Sequence, residues 1–182
     1  FKLNGTEIEN DLKWLLKDSS DTKNDGNANL LIGDQIFIEK GAVVTGSTLN
    51  STDGPIYIFK GAEVMEGSNL RGPLAIMENS VVKMGSKIYG PTTIGPHCKI
   101  GGEISNVVFQ GFSNKAHDGF MGNSVIGYWC NFGADTNTSN LKNNYGLVKS
   151  ARLINETMPQ KICESISSNL KKLGKNHKNI KI

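Results

Sequence analysis

The residues of this chain that could do chemistry are its histidines, its cysteines and its clustered charges. There are three histidines. His97 follows Pro96 and reads as a turn residue, while His177 lies in a lysine-rich tail. His117, in the segment SNKAHDGF, is left as the candidate base, because an imidazole titrates near neutrality. Cys98, Cys130 and Cys163 are odd in number, widely spaced and form no CxxC pair. Neither a zinc site nor a disulfide framework is expected from them, and no metal is predicted. No P-loop, Rossmann fingerprint or HExxH motif occurs. Lys+Arg number 20 against 17 Asp+Glu, a net charge of +3. Lys171, Lys172, Lys175, Lys178 and Lys181 stand in a tail without an acid, and removing them leaves 15 against 17, or −2. The basic balance therefore belongs to the tail, and no nucleic-acid partner is expected.

These candidates need elements to hold them, and the sequence announces those by a period of six. Ile58, Val64, Leu70, Ile76, Val82, Ile88, Ile94 and Ile100 are aliphatic at successive steps of six. Four residues after each of the first seven stand Ala62, Ser68, Leu74, Ser80, Ser86, Thr92 and Cys98, all small except Leu74. A second block, two residues out of frame, gives Phe120, Ile126 and Phe132 with Ser124, Cys130 and Thr136. An earlier one gives Ile38 and Val44 with Ala42 and Thr48. A helix repeats near 3.6 and a strand at 2, so neither produces this pattern. A coil with three flat sides does: each side is a short strand, and each hexapeptide sends one large and one small residue inward. Cys98 and Cys130 fall in the small inward slot and read as packing residues.

The expected fold is mainly β: a left-handed parallel β-helix of hexapeptide repeats, with a short N-terminal helix and a C-terminal α-helix. The general preference for right-handed crossovers would give the other hand; the left hand follows from the resemblance described below. Residues 1–30 read as a helix, carried by Ile8, Leu12, Leu15 and Leu16, followed by a polar linker. Residues 31–149 hold the β-helix, and Asn50–Pro55 and Ser105–Gly119 are expected to leave the coil as loops. Residues 150–182 form a helical segment and a basic tail. Thr157 and Gln160 fit a capping box there, Ile162, Ile166 and Leu170 form an apolar stripe, and Gly174 ends the helix. No run of about 18 apolar residues exists, so no membrane span is expected. No signal peptide is visible, and the cysteine usage fits a reducing compartment, so a cytoplasmic location is expected. The chain opens at Phe1 and not at Met, which suggests a piece of a longer protein.

Several phrases carry a resemblance: DGPIYI (53–58), MEGSNLRGP (65–73), VKMGSKIYGPTTIGP (82–96), GGE (101–103), SNKAHDGFMGNSVIG (113–127) and SNLKNNY (139–145). Residues 36–149 resemble the C-terminal hexapeptide half of GlmU-like sugar nucleotidyltransferases. These are related to the bifunctional N-acetylglucosamine-1-phosphate uridyltransferase and glucosamine-1-phosphate acetyltransferase. The resemblance implies that His117 is the catalytic base, with Glu103 fourteen residues before it and Asn140 twenty-three after it as its partners. It implies that Lys115, Lys87, Arg71, Asn131 and Lys142 bind substrate. Leu141, Ser105 and Gly146 stand where the family often has Tyr, Lys and Lys, and Lys87 stands for an Arg. Residues 150–182 resemble a helical segment of nucleotide-sugar dehydrogenases, without that family's active-site cysteine loop.

What the resemblance implies is acetyl transfer from acetyl-CoA to an amino-sugar phosphate, in nucleotide-sugar and cell-envelope biosynthesis, by a homotrimer. A sugar phosphate or nucleotide sugar is the expected ligand. Related enzymes place acetyl-CoA beside coils downstream of the base. About one such coil follows His117, so the pocket is expected to be incomplete in this chain. The other expectation is a non-catalytic trimerising scaffold for a nucleotidyltransferase domain, of which residues 1–30 would be the tail.

Overall fold

A computed structural model describes residues 3–15, 28–138, 157, 160 and 162–168. The chain divides into two compact units, Phe1–Asn140 and Leu141–Ile182. The first is a parallel β-helix of six coils with three faces. The first face carries β1 (Leu30–Ile32), β4 (Thr48–Asn50), β7 (Asn69–Arg71) and β10 (Lys87–Tyr89). The second carries β2 (Ile36–Ile38), β5 (Ile56–Ile58), β8 (Leu74–Ile76) and β11 (Thr92–Ile94). The third carries β3 (Val43–Val44), β6 (Glu63–Val64), β9 (Val81–Val82), β12 (Lys99–Ile100) and β14 (Asn114–Lys115). In the last two coils β13 (Glu103–Gly111) and β15 (Phe120–Tyr128) each run across both the first and second faces. Every ladder is parallel.

Stacked coils put like residues above one another, which explains the period of six. One inward column is Leu49, Leu70, Ile88, Ile104 and Met121, and a second is Ile38, Ile58, Ile76, Ile94 and Phe109; all are buried. On the third face Val44, Val64, Val82 and Ile100 form the large column. Ala42, Ala62, Ser80, Cys98 and Ser113 form the small one beside it. Buried serines there need partners, and Ser80 shows how they are met. Its Oγ donates to Gly95 O at 2.7 Å and accepts from Cys98 N at 2.9 Å. Where corners of successive coils touch, only glycine fits. A Cβ on Gly72 would lie 2.0 Å from Gly54 O.

The structure departs from the sequence expectation in the fifth coil. Ser105–Gly119 does not leave the coil: it forms most of β13 and all of β14. First-face partners are Asn69 and Lys87, Lys87 and Glu103, then Glu103 and Phe120, so successive coils take 18, 16 and 17 residues. The shortening has two sources. The corner between the first two faces contracts from Gly90-Pro91 to Asn106 alone, whose φ of 55° turns the strand in one residue. Asn123 does the same one coil later (φ 48°), and Asn106 Nδ2 donates to its Oδ1 at 2.7 Å. The corner after Ile100 is two residues shorter than the one after Val82. This shift moves Met121 into the core and leaves Phe120 half-buried on the outside. Likewise Ser47 and Leu49 point inward while Thr48 points outward. Asn50–Pro55 does lengthen its corner, since Thr48 pairs with Asn69 twenty-one residues on.

Helix α1 (Asn4–Leu15) packs on the second face. Ile8 and Leu12 bury against Tyr57, and Asn4 Nδ2 donates to Pro91 O at 2.9 Å. Tyr57 OH donates to Glu39 Oε1 at 2.8 Å; burial and that carboxylate push the phenol up to about 12. In the second unit Thr157, Gln160 and 162–168 are helical, and the other residues of the expected capping box lie outside the described residues. Ile162 and Ile166 are exposed; Leu170 and Gly174 lie outside the described residues. Among the described residues no helix is long and apolar enough to cross a membrane.

Candidate functional site

Strand alternation decides which side chains reach the surface of the first face. Residues on either side of each inward Leu or Ile point out. Their register gives two rows. One reads Thr48, Asn69, Lys87, Glu103 and Phe120, and the other Asn50, Arg71, Tyr89, Ser105 and Gly122. Neighbours in a row are about 4.8 Å apart, the spacing of paired strands. Lys87 is thus flanked by Asn69 and Glu103, and Arg71 by Asn50 and Tyr89.

Two cavities open on this face and share Lys87. One of about 280 Å³ is lined by Thr48, Asn50, Asn69, Leu70, Arg71, Lys87 and Tyr89. The other, about 230 Å³, is lined by Gly85, Lys87, Gly102, Glu103, Asp118, Gly119 and Phe120. The first can receive an anion on two cations and several neutral donors. Arg71 Nη1 meets Asp53 Oδ2 at 3.0 Å, but both side chains are half-exposed, so this pair adds little stability and leaves the guanidinium open to exchange partners. The second cavity joins a cation, two carboxylates and an aromatic ring.

His117 stands on the corner leading from the third face into β15, next to Asp118 of the second cavity. It is exposed, and among the described residues no hydrogen bond joins its ring to Glu103. The fold therefore brings His117, Glu103 and Lys87 to one edge of the β-helix, with Arg71 further down the first face. Lys115 is placed differently. It points into the core at 1% exposure, in the large column between Ile100 and Phe132. Its Nζ donates to His117 O at 2.7 Å and Gly101 O at 3.1 Å. Burial draws its ammonium below the usual lysine range, opposed by the charges of Asp118 and Asp135. Asn131 stands on the third face, where its Oδ1 accepts from Asn114 Nδ2 at 2.8 Å. Asn140 and Lys142 lie outside the described residues.

Asn69, Tyr89 and Asp118 line these cavities without having been singled out in the sequence, and Phe120, expected to point inward, lines one of them instead. The signal for Asn69 and Tyr89 was available: each flanks an inward residue of the repeat, as Arg71 and Lys87 do. Cys98 is buried and its thiol is pushed up by desolvation, which suits a packing residue. No model of a known protein family matches the sequence, and no curated protein matches it.

Proposed function

We propose that this chain is the acyltransferase-like β-helix part of a sugar-nucleotide transferase. That protein moves an acetyl group from acetyl-CoA to the amine of an amino-sugar phosphate and works as a cytoplasmic homotrimer, and this chain supplies its base and its sugar-phosphate site. The observation that carries this reading is the sharing of Lys87 between a cationic cavity and an acidic one beside the His117 corner. Arg71 and Lys87 take the sugar phosphate, with Asn69 and Tyr89 beside it. The amine then lies toward Glu103 and Asp118. His117 takes the proton of the amine as its nitrogen attacks the thioester carbonyl. The carbon–sulfur bond breaks and the proton passes to the departing thiolate, so the imidazole is regenerated. Glu103 places negative charge near the imidazolium formed in between.

Calorimetry with glucosamine-1-phosphate tests the assignment of the cavities. The wild-type chain binds it, and Arg71→Ala and Lys87→Ala each weaken binding about tenfold, the loss of one charge-assisted contact. Wild-type affinity in both variants rules the phosphate site out. No binding of acetyl-CoA or sugar phosphate by the wild type favours the trimerising scaffold instead.

A further inference from the structure

Lys115 stands where the β-helix changes the length of its corners. On the edge between the third and first faces, the lower coils are tied from inside by serine hydroxyls. Ser47 Oγ lies 3.0 Å from Thr45 O and 2.9 Å from Met65 O, and its one hydroxyl hydrogen is shared between them. Ser68 Oγ and Ser86 Oγ both donate to Lys83 O. The next corner, Gly101-Gly102, is two residues shorter and has no serine. The corner above it, Ala116 to Gly119, returns to the longer form. A short corner therefore lies beneath a long one, and among the described residues no hydroxyl serves either.

Lys115 supplies the missing donors. Its stem fills the slot held by Val44, Val64, Val82 and Ile100 in the coils below, and its ammonium reaches one carbonyl from each of the unequal corners. Only a long side chain with several N–H groups does both from an inward position. A role in binding phosphate would need the Nζ to leave the core and give up both bonds.

We propose that Lys115 is a positioning residue for His117. From inside the coil its ammonium holds the His117 carbonyl, and so keeps the imidazole and Asp118 beside the cavity lined by Lys87, Glu103 and Phe120. The proposal rests on the reading of His117 as the base.

Two variants test it. Lys115→Met keeps the packing and removes every donor; Lys115→Gln keeps an N–H donor without the charge. Acetyl transfer to glucosamine-1-phosphate is measured alongside amide exchange at two reporters of the corner. These are Glu103 N, which donates to Gly119 O, and Asp135 N, which donates to Asp118 O. For Lys115→Met, kcat falls about 100-fold with KM within about threefold, the size expected when a reacting group is displaced by an ångström or so. Exchange at both reporters quickens at least about tenfold, while Met65 N, bonded to Val82 O, keeps its rate. Lys115→Gln recovers part of both effects. Unchanged kcat and exchange in Lys115→Met overturn the proposal, as does a raised KM at constant kcat, which would make Lys115 a ligand contact. If Lys115→Met does not fold, Lys115→Gln is judged by the same two readouts. If the wild type transfers no acetyl group, the reading of His117 fails, and the exchange rates alone decide whether Lys115 holds the corner.

Discussion

Truncation of Ile76 to alanine probes the stacked interior most sharply. Ile76 is fully buried in the middle of its column, with Ile58 below it and Ile94 above it. The substitution removes three carbons, a transfer loss of about 2.4 kcal/mol at ~0.8 kcal/mol per methylene. The coils above and below are fixed by parallel ladders, so the space cannot close, and the cavity left behind raises the cost to about 3–4 kcal/mol. Ile126 occupies the same column in the last described coil and is only partly buried. Ile126→Ala therefore costs about 1–2 kcal/mol by the same reasoning. Val125→Ala, one residue away but outward and 52% exposed, costs less than ~0.5 kcal/mol. Urea unfolding followed by far-UV circular dichroism reads all three, and Ile76→Ala also lowers Tm by roughly 6–15 °C for a domain of this size. Equal losses for Ile76→Ala and Val125→Ala would refute the inward column.

Other outcomes follow from single contacts. Gly72→Ala destabilises by about 2 kcal/mol or more, because its Cβ meets backbone atoms of the coil below; a neutral result in thermal melts would show that this corner can part. Tyr57 is neutral in the folded state up to about pH 12, against 10 unfolded. Its raised value stabilises the fold fully below pH 10, and that contribution is lost between pH 10 and about 12. Absorbance at the tyrosinate band then shows one tyrosine titrating late, and Tyr57→Phe removes that step; four coincident titrations would contradict it. A thiol reagent labels Cys163 first and Cys130 next, and reaches Cys98 only on unfolding; fast labelling of all three would place Cys98 outside the core.

Much of the fold was legible because one inward position per hexapeptide leaves a mark that chance does not. Ile58 through Ile100 kept that frame since their corners have nearly constant length. The frame slips where the corners shorten, and a count by six cannot detect a corner that turns in one residue at Asn106. That is why Ser105–Gly119 read as a loop, why Phe120 was taken for Met121, and why Lys115 was taken for a substrate ligand. Measured from Ile100 in the shortened fifth coil, Lys115 falls in the inward column. Thr48 was misplaced by one because nothing in the sequence distinguishes it from Ser47 until the pairing with Asn69 is known. For the site, Arg71, Lys87 and Glu103 could be chosen by type and resemblance. Their sharing of one face, and the position of Asn131 on another, depend on the register of coils up to 21 residues long.

The central claim is that the His117 corner transfers an acetyl group. Its most direct measurement follows a carbon-13 label in the acetyl group of acetyl-CoA during incubation with glucosamine-1-phosphate, for the wild-type chain and His117→Ala. The account predicts a labelled amide product from the wild type, and at least about a 100-fold slower appearance with His117→Ala at unchanged circular dichroism. Equal rates for the two chains, or no labelled product from the wild type, would contradict it.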